Sequence, residues 1–195
     1  MPASSPADND ALGPTSQTHV RTAFDLTVRA SYEVAFPLFG SNGERSWAGD
    51  DWNPHFVYPS PAADVPGAVF TIKHGAHQAV WVNTAFDRQG RHIQYAYLIS
   101  DVMVTTIDLT FVPLDSATTK VSVIYERTAL NAAANDEVRK FGTIDQERGS
   151  DWEKAINAYL RHGGVCCRKV STLGFERKSI GVVADLLRRW GHFSQ

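Results

Sequence analysis

AVFTIKHGAHQAVWVNTAFDRQGRHIQYAYLISDVMVTTIDLTFV (68–112), followed by KVSVIYERTA (120–129), carries the reading that decides the fold of this chain. Apolar and aromatic side chains alternate with polar ones through 68–74, 79–87, 92–100, 102–112 and 120–129. A period of two belongs to a strand with one face in a core and the other in water. Gly75, Gly90, the Ser100-Asp101 pair and the 113–118 segment interrupt these runs, and connections that short force neighbouring strands to be antiparallel. The expectation is a five-stranded meander. Within it Ile93, Tyr95, Tyr97 and Ile99 form one set, which is expected to face inward, and His92, Gln94, Ala96 and Leu98 form the other.

Directly afterwards the period changes. Val138, Phe141, Asp145, Arg148, Trp152, Ile156, Tyr159 and Leu160 fall at steps of three and four between 131 and 161, which predicts one long amphipathic helix. At about 1.5 Å per residue it spans roughly 40 Å, more than any of the strands, so it is expected to run diagonally across the sheet. Gly142 and Gly149 lie on one side of it. Each costs about 1 kcal/mol relative to Ala in a helix. The missing side chains either leave room for a ligand or let the helix approach the sheet closely.

Working back toward the N-terminus, 19–29 alternates as another strand, and Ser31 is placed to cap a helix over 32–39 that Pro37 keeps short or kinked. The 40–66 stretch is rich in Gly, Asp, Asn, Pro and Trp and predicts an irregular loop with a short strand at 55–58. Loops of this length inside compact domains are usually lids or binding loops. Residues 1–18, with three prolines and few bulky apolar groups, are expected to be a disordered leader. The order predicts an α+β domain over 19–162 with an extension over 163–195.

Composition removes several classes. The chain carries 19 Lys and Arg against 21 Asp and Glu, without the basic excess that nucleic-acid binding requires. No run of roughly 18 uncharged apolar residues exists to span a bilayer, and the N-terminus lacks the basic start and apolar core of a secretory signal, so a cytoplasmic location is expected. The two cysteines, Cys166 and Cys167, are adjacent, and neighbours rarely meet disulfide geometry.

With Gly43-Glu44-Arg45-Ser46-Trp47, Trp52-Asn53-Pro54, Gly67-Ala68-Val69-Phe70-Thr71, Trp81, Tyr125-Glu126-Arg127-Thr128-Ala129-Leu130, Trp152-Glu153 and Tyr159-Leu160, the chain resembles the SRPBCC superfamily, and within it a bacterial subfamily. These are the helix-grip proteins that include START-type lipid carriers, plant ligand-binding allergens and polyketide cyclases. The resemblance spans about 19–162. It implies a curved antiparallel sheet of six to seven strands wrapped around the C-terminal helix, with a cavity between them for a hydrophobic small molecule. It implies no particular catalytic residue and no cofactor, and one fold of this kind hosts many functions.

The candidate site follows from the inward positions and the loop. WAGDDWNPHFVY (47–58) gathers Trp47, Trp52, Asp50, Asp51, His55 and Tyr58. Rings supply contact area and a few polar groups fix orientation, although the same residues also serve to close a cavity mouth and cap turns. The ligand-binding candidates are Trp47, Trp52, His55, Tyr58, Phe70, Trp81, Tyr95, Tyr97, Tyr125, Arg127, Phe141 and Trp152. If the site is catalytic, Tyr95, Tyr97, His55 and Asp50 are the groups to polarise a carbonyl or move a proton. Arg127 is expected at its strand end, paired or in water, since a buried guanidinium needs an anion. His74 and His77 flank Gly75-Ala76, and with His55 they would offer three imidazoles; spacing alone argues weakly for a metal, and solvated turn histidines are the expectation.

Binding of a hydrophobic small molecule is the leading expectation. A cofactor-free polyketide cyclase or dehydratase is the alternative, and no phosphate loop or nucleophile elbow decides between them. Residues 165–195 hold Arg168, Lys169, Arg177, Lys178, Arg188 and Arg189 against Glu176 and Asp185, with Ile180, Val183, Ala184, Leu187 and Trp190 on a helical stripe. That tail either folds back on the domain, touches an anionic membrane peripherally, or docks on a partner as an adaptor. Either a monomer or a homodimer is compatible with the chain.

Overall fold

The computed structural model describes residues 16–50, 52–74 and 77–163. Most of the expected leader and nearly all of the extension, including Cys166, Cys167 and the basic tail stripe, lie outside the described residues. Seven strands form one sheet: β1 (His19–Val28), β2 (His55–Tyr58), β3 (Val69–His74), β4 (His77–Asp87), β5 (His92–Ile99), β6 (Met103–Asp115) and β7 (Thr118–Ala129). Their order is β1-β7-β6-β5-β4-β3-β2, with every neighbouring pair antiparallel. The expected helix-grip arrangement is therefore present, at the upper end of the expected strand number.

The meander departs from expectation at one turn. β6 runs on through Pro113 to Asp115, so the β6–β7 turn is tighter than the 113–118 loop read from sequence. Proline lacks an amide donor, and the ladder tolerates it here because the register slips between Pro113 and Asp115. The short helix behaves as its proline dictates: α1 (Tyr32–Ala35) gives way at once to a 3-10 turn over Phe36–Phe39. Ser31 receives the amides of Val34 and Ala35 on its carbonyl, while its side chain makes no capping bond.

This element plugs one end of the sheet's concave face. Phe36 and Phe39 are buried against Phe111, with ring centroids 5.0 and 5.3 Å away, and Phe36 also meets Phe86 at 4.9 Å. Burial of each such ring contributes about 1.5–3 kcal/mol, which fixes this end as solid core.

The terminal helix, α2 (Asn135–Arg161), starts after a 3-10 turn over Ala132–Ala134, in which the Ala134 amide donates to the Asn131 side chain. It lies along β1 and, less extensively, β7, at one side of the sheet. Val138, Phe141, Trp152 and Ile156 of the predicted stripe are buried, as are Asp145 and Arg148, while Tyr159 and Leu160 are half-buried. The helix also satisfies the free edge of β1. Glu153 accepts from the Thr27 amide at 2.8 Å, and Asn157 both accepts from the Arg29 amide and donates to the Thr27 carbonyl at 2.8 Å. An unpaired strand edge is otherwise open to association, so these bonds both hold the helix and close the edge.

Candidate ligand site

Beyond the phenylalanine plug, the inward side chains of four strands meet α2 and the 40–66 loop around a cavity of about 40 Å³. That is room for roughly three waters. Its walls are Trp81 on β4, Tyr95 and Tyr97 on β5, Ile107 and Leu109 on β6, Tyr125 on β7, Arg148 and Trp152 on α2, and Glu44 and Trp52 from the loop. Strand alternation delivers the first six, and the i, i+4 spacing of Arg148 and Trp152 places both on one helix face.

The rings hold one another. Trp81 stacks on Tyr97 at 4.1 Å and on Phe70 at 5.7 Å, and Trp52 meets Trp81 edge-on at 5.6 Å. Trp47 stands edge-on to Trp152 at 5.5 Å. Such pairs contribute about 0.5–1.5 kcal/mol each beyond area burial, so the aromatic wall is stiff. Two of the loop indoles are also tied by hydrogen bonds: Trp47 Nε1 donates to the Leu38 carbonyl at 2.6 Å, and Trp52 Nε1 to the Ser41 carbonyl at 2.8 Å. Tyr95 donates its hydroxyl to the Phe39 carbonyl at 3.0 Å, which commits it structurally.

Arg127 is where the structure differs most from expectation. It is paired, one of the two expected outcomes, but fully buried, because α2 brings Asp145 to it. Nε and Nη2 donate to the two Asp145 oxygens at 2.7 and 2.9 Å, and Nη1 donates to Thr105 Oγ1 at 3.1 Å and to the Tyr97 hydroxyl. Rings of Tyr125 and Phe141 lie 4.6 and 5.1 Å from the guanidinium carbon. Thr22 Oγ1 adds a longer bond to Asp145 at 3.3 Å.

Arg148, one turn further along α2, fares differently. Its Nε lies 3.1 Å from Asp145 Oδ1, yet is not aligned for a hydrogen bond, and its Nη2 has no protein partner. The indole N–H groups of Trp81 and Trp152 are likewise buried without a partner. These are the only buried side-chain polar atoms left unpaired among the described residues, and all three residues line the cavity. Glu44 completes the polar lining. Burial, and secondarily the nearby Asp64 carboxylate, raises its carboxyl well above the ordinary glutamate range. Asp64 is fixed there by accepting from Ser41 Oγ and the Asn42 amide at 2.9 Å and the Gly43 amide at 3.2 Å.

Of the residues singled out from sequence, Trp52, Trp81, Tyr95, Tyr97, Tyr125 and Trp152 line the cavity. Phe70, Phe141 and Trp47 support it from behind. His55 and Tyr58, on the short edge strand β2, and Asp50, in the loop before it, are exposed and line no part of it; Phe56 is the β2 side chain that packs inward, against Phe70. His74 and His77 are opposed at the β3–β4 end, and no group of three metal-ligating side chains occurs among the described residues. Gly142 and Gly149 make no ligand room: a Cβ at Gly142 would stand 2.5 Å from Val20 Cγ1, and one at Gly149 2.9 Å from Phe24 Cδ2. Close helix–sheet contact is their role. Glu44, Ile107, Leu109 and Arg148 were not singled out as site residues; the signal for Arg148 was its place on the apolar stripe.

No family model and no curated protein matches the sequence. Solved structures do match. Norcoclaurine synthase from Thalictrum flavum superposes with a TM-score of 0.56 at 12% identity, over 76% of this chain and 99% of that one. The allergen Ara h 8.0201 gives a TM-score of 0.55 at 15% identity, over 74% and 99%. The ZhuI aromatase/cyclase from Streptomyces sp. R1128 gives 0.55 at 13%, over 78% and 100%. At these identities the likeness is one of fold.

Proposed function

We propose that this chain, whose helix-grip fold is that of the SRPBCC and Bet v 1-like proteins, binds a small, largely apolar molecule between sheet and helix. The observation that carries this is the convergence of unpartnered buried donors from Trp81, Trp152 and Arg148 on an aromatic-walled cavity. Buried donors are almost always satisfied in folded proteins, and a site that leaves several unsatisfied together is one that something else satisfies. Norcoclaurine synthase, seen with dopamine and hydroxybenzaldehyde, and ZhuI, an aromatase/cyclase, lend the reading support by analogy of fold.

A cavity of about 40 Å³ is far below the roughly 300–1,000 Å³ of small-molecule sites, so occupancy requires a wall to move. The 40–66 loop is built to move as a unit. Most of its side-chain hydrogen bonds close within it: Asp64 with Ser41, Asn42 and Gly43, Arg45 with Asn53 and the Pro54 carbonyl, and Trp52 with Ser41. An outward swing would take Glu44 and Trp52 from the cavity and keep those bonds, at the cost of the Trp52–Trp81 and Trp47–Trp152 ring contacts and the Trp47 bond to Leu38. Burying about 300 Å² of ligand at about 25 cal/mol per Å² gives roughly 7 kcal/mol before association costs, which sets micromolar affinity at best unless polar anchors add to it.

The alternative reading, a cofactor-free cyclase or dehydratase, draws on Glu44. A carboxyl whose neutral form is favoured by burial inside an apolar site is suited to proton transfer. The adaptor reading rests on residues outside those described. Native mass spectrometry of gently purified protein, with displacement of a fluorescent apolar probe, tests the binding reading. A retained small molecule or saturable displacement is expected; folded protein that holds and displaces nothing contradicts it.

A further inference from the structure

The interior around Asp145 is one negative charge short. Arg127 is hydrogen-bonded to both Asp145 oxygens, while Arg148, whose Nε lies 3.1 Å from Asp145 Oδ1, shares that single negative charge without an aligned hydrogen bond to it. Arg148 is 6% exposed, and a guanidinium does not shed its proton to escape burial. Glu44 does not make up the difference, because its surroundings favour the neutral acid. Two buried guanidinium groups thus share one carboxylate, and the uncompensated one faces the cavity.

Resting on the binding reading above, we infer that the ligand is a monoanionic aromatic or similarly flat apolar acid whose carboxylate sits on Arg148, with the indole N–H groups of Trp81 and Trp152 as flanking donors. A planar carboxylate matches the guanidinium fork, and one charge restores neutrality where a phosphate dianion would overshoot it. The two indoles donate without adding charge, so they favour acceptor oxygens of any kind. Arg148 is what selects an acid over its neutral isostere. The body of the ligand then lies against Tyr125, Ile107 and Leu109, the apolar part of the wall.

The test compares 2-naphthoate with 2-naphthamide, equal in shape and different in charge, by calorimetric titration of the full chain. Wild type is expected to bind the acid at least about tenfold more tightly than the amide. Arg148→Met is expected to bring the affinities for acid and amide within about twofold of each other, and Arg148→Lys to retain part of the preference. Should Arg148→Met fail to fold, the Lys variant and the wild-type pair still decide the matter. Equal affinity for the two probes in wild type, or binding of an apolar fluorescent probe with rejection of the acid, overturns the carboxylate inference and leaves the binding reading standing. Absence of binding by the acid, the amide and the apolar probe alike overturns both.

Discussion

Arg127 and Arg148 occupy the same interior, are almost equally buried, and flank the same aspartate, yet one is saturated and the other is not. Around Arg127 every direction holds a partner: two carboxylate oxygens, a threonine, a tyrosine hydroxyl and two ring faces. Around Arg148 the partners stop at the cavity wall. Equal burial with unequal satisfaction separates a group that holds the fold from one kept for something that arrives later.

The largest effect should come from breaking the satisfied side. Asp145→Ala leaves two buried guanidinium groups without an anion and is expected to cost about 3–5 kcal/mol in urea unfolding. Replacing Arg127 by Met and Asp145 by Leu together should recover part of that loss, because only the Arg148 charge then remains without its anion. If the double variant is no better than the single, the pair does more than compensate charge.

A smaller loss is expected from Gly142→Ala. Val20 pairs with Arg127 across the β1–β7 ladder, and a Cβ at Gly142 would stand 2.5 Å from Val20 Cγ1. The glycine lets α2 come close enough for Asp145 to reach Arg127. Overpacking of about 1–3 kcal/mol, less about 1 kcal/mol of helix propensity, gives a net loss of up to about 2 kcal/mol in the same assay. A gain would mean that Val20 simply turns aside.

Glu44 tests the cavity side through pH. Its raised folded value means that the folded chain holds more protons than the unfolded one above the ordinary glutamate value of about 4.3. Its contribution is therefore fully present below that value and is lost as pH rises toward the folded value. The slope of unfolding midpoint against pH should be shallower in Glu44→Gln than in wild type; identical slopes would place the proton elsewhere. The smallest change is reserved for Arg148→Met without ligand, where stability should stay within about 1 kcal/mol of wild type or rise. A loss as large as that of Asp145→Ala would make the two arginines equivalent and end the distinction.

Much of this was legible in the residues. Period-two alternation placed Tyr95, Tyr97 and Ile93 inward, and the strand set and terminal helix followed from it. Asp145 and Arg148 were visible on an apolar stripe, but which of two cations a buried carboxylate serves depends on helix–sheet distance, which no period encodes. The loop showed that some rings would be buried without showing which: Trp52 turned in, while His55 and Tyr58 stayed in water on an edge strand. Glu44 was not legible because a loop carboxyl carries no periodicity, and only the closed fold buries it. The burial of Arg127 was missed for the converse reason, as its partner lies 18 positions away on another element.

Indole amide resonances offer the most direct test. Trp47 and Trp52 already donate to backbone carbonyls, whereas Trp81 and Trp152 donate to nothing among the described residues. On titration with 2-naphthoate, the Trp81 and Trp152 Nε1–H signals, assigned by substitution, should move downfield while those of Trp47 and Trp52 move less. Saturating acid that leaves the Trp81 and Trp152 signals in place would contradict a ligand site at Arg148.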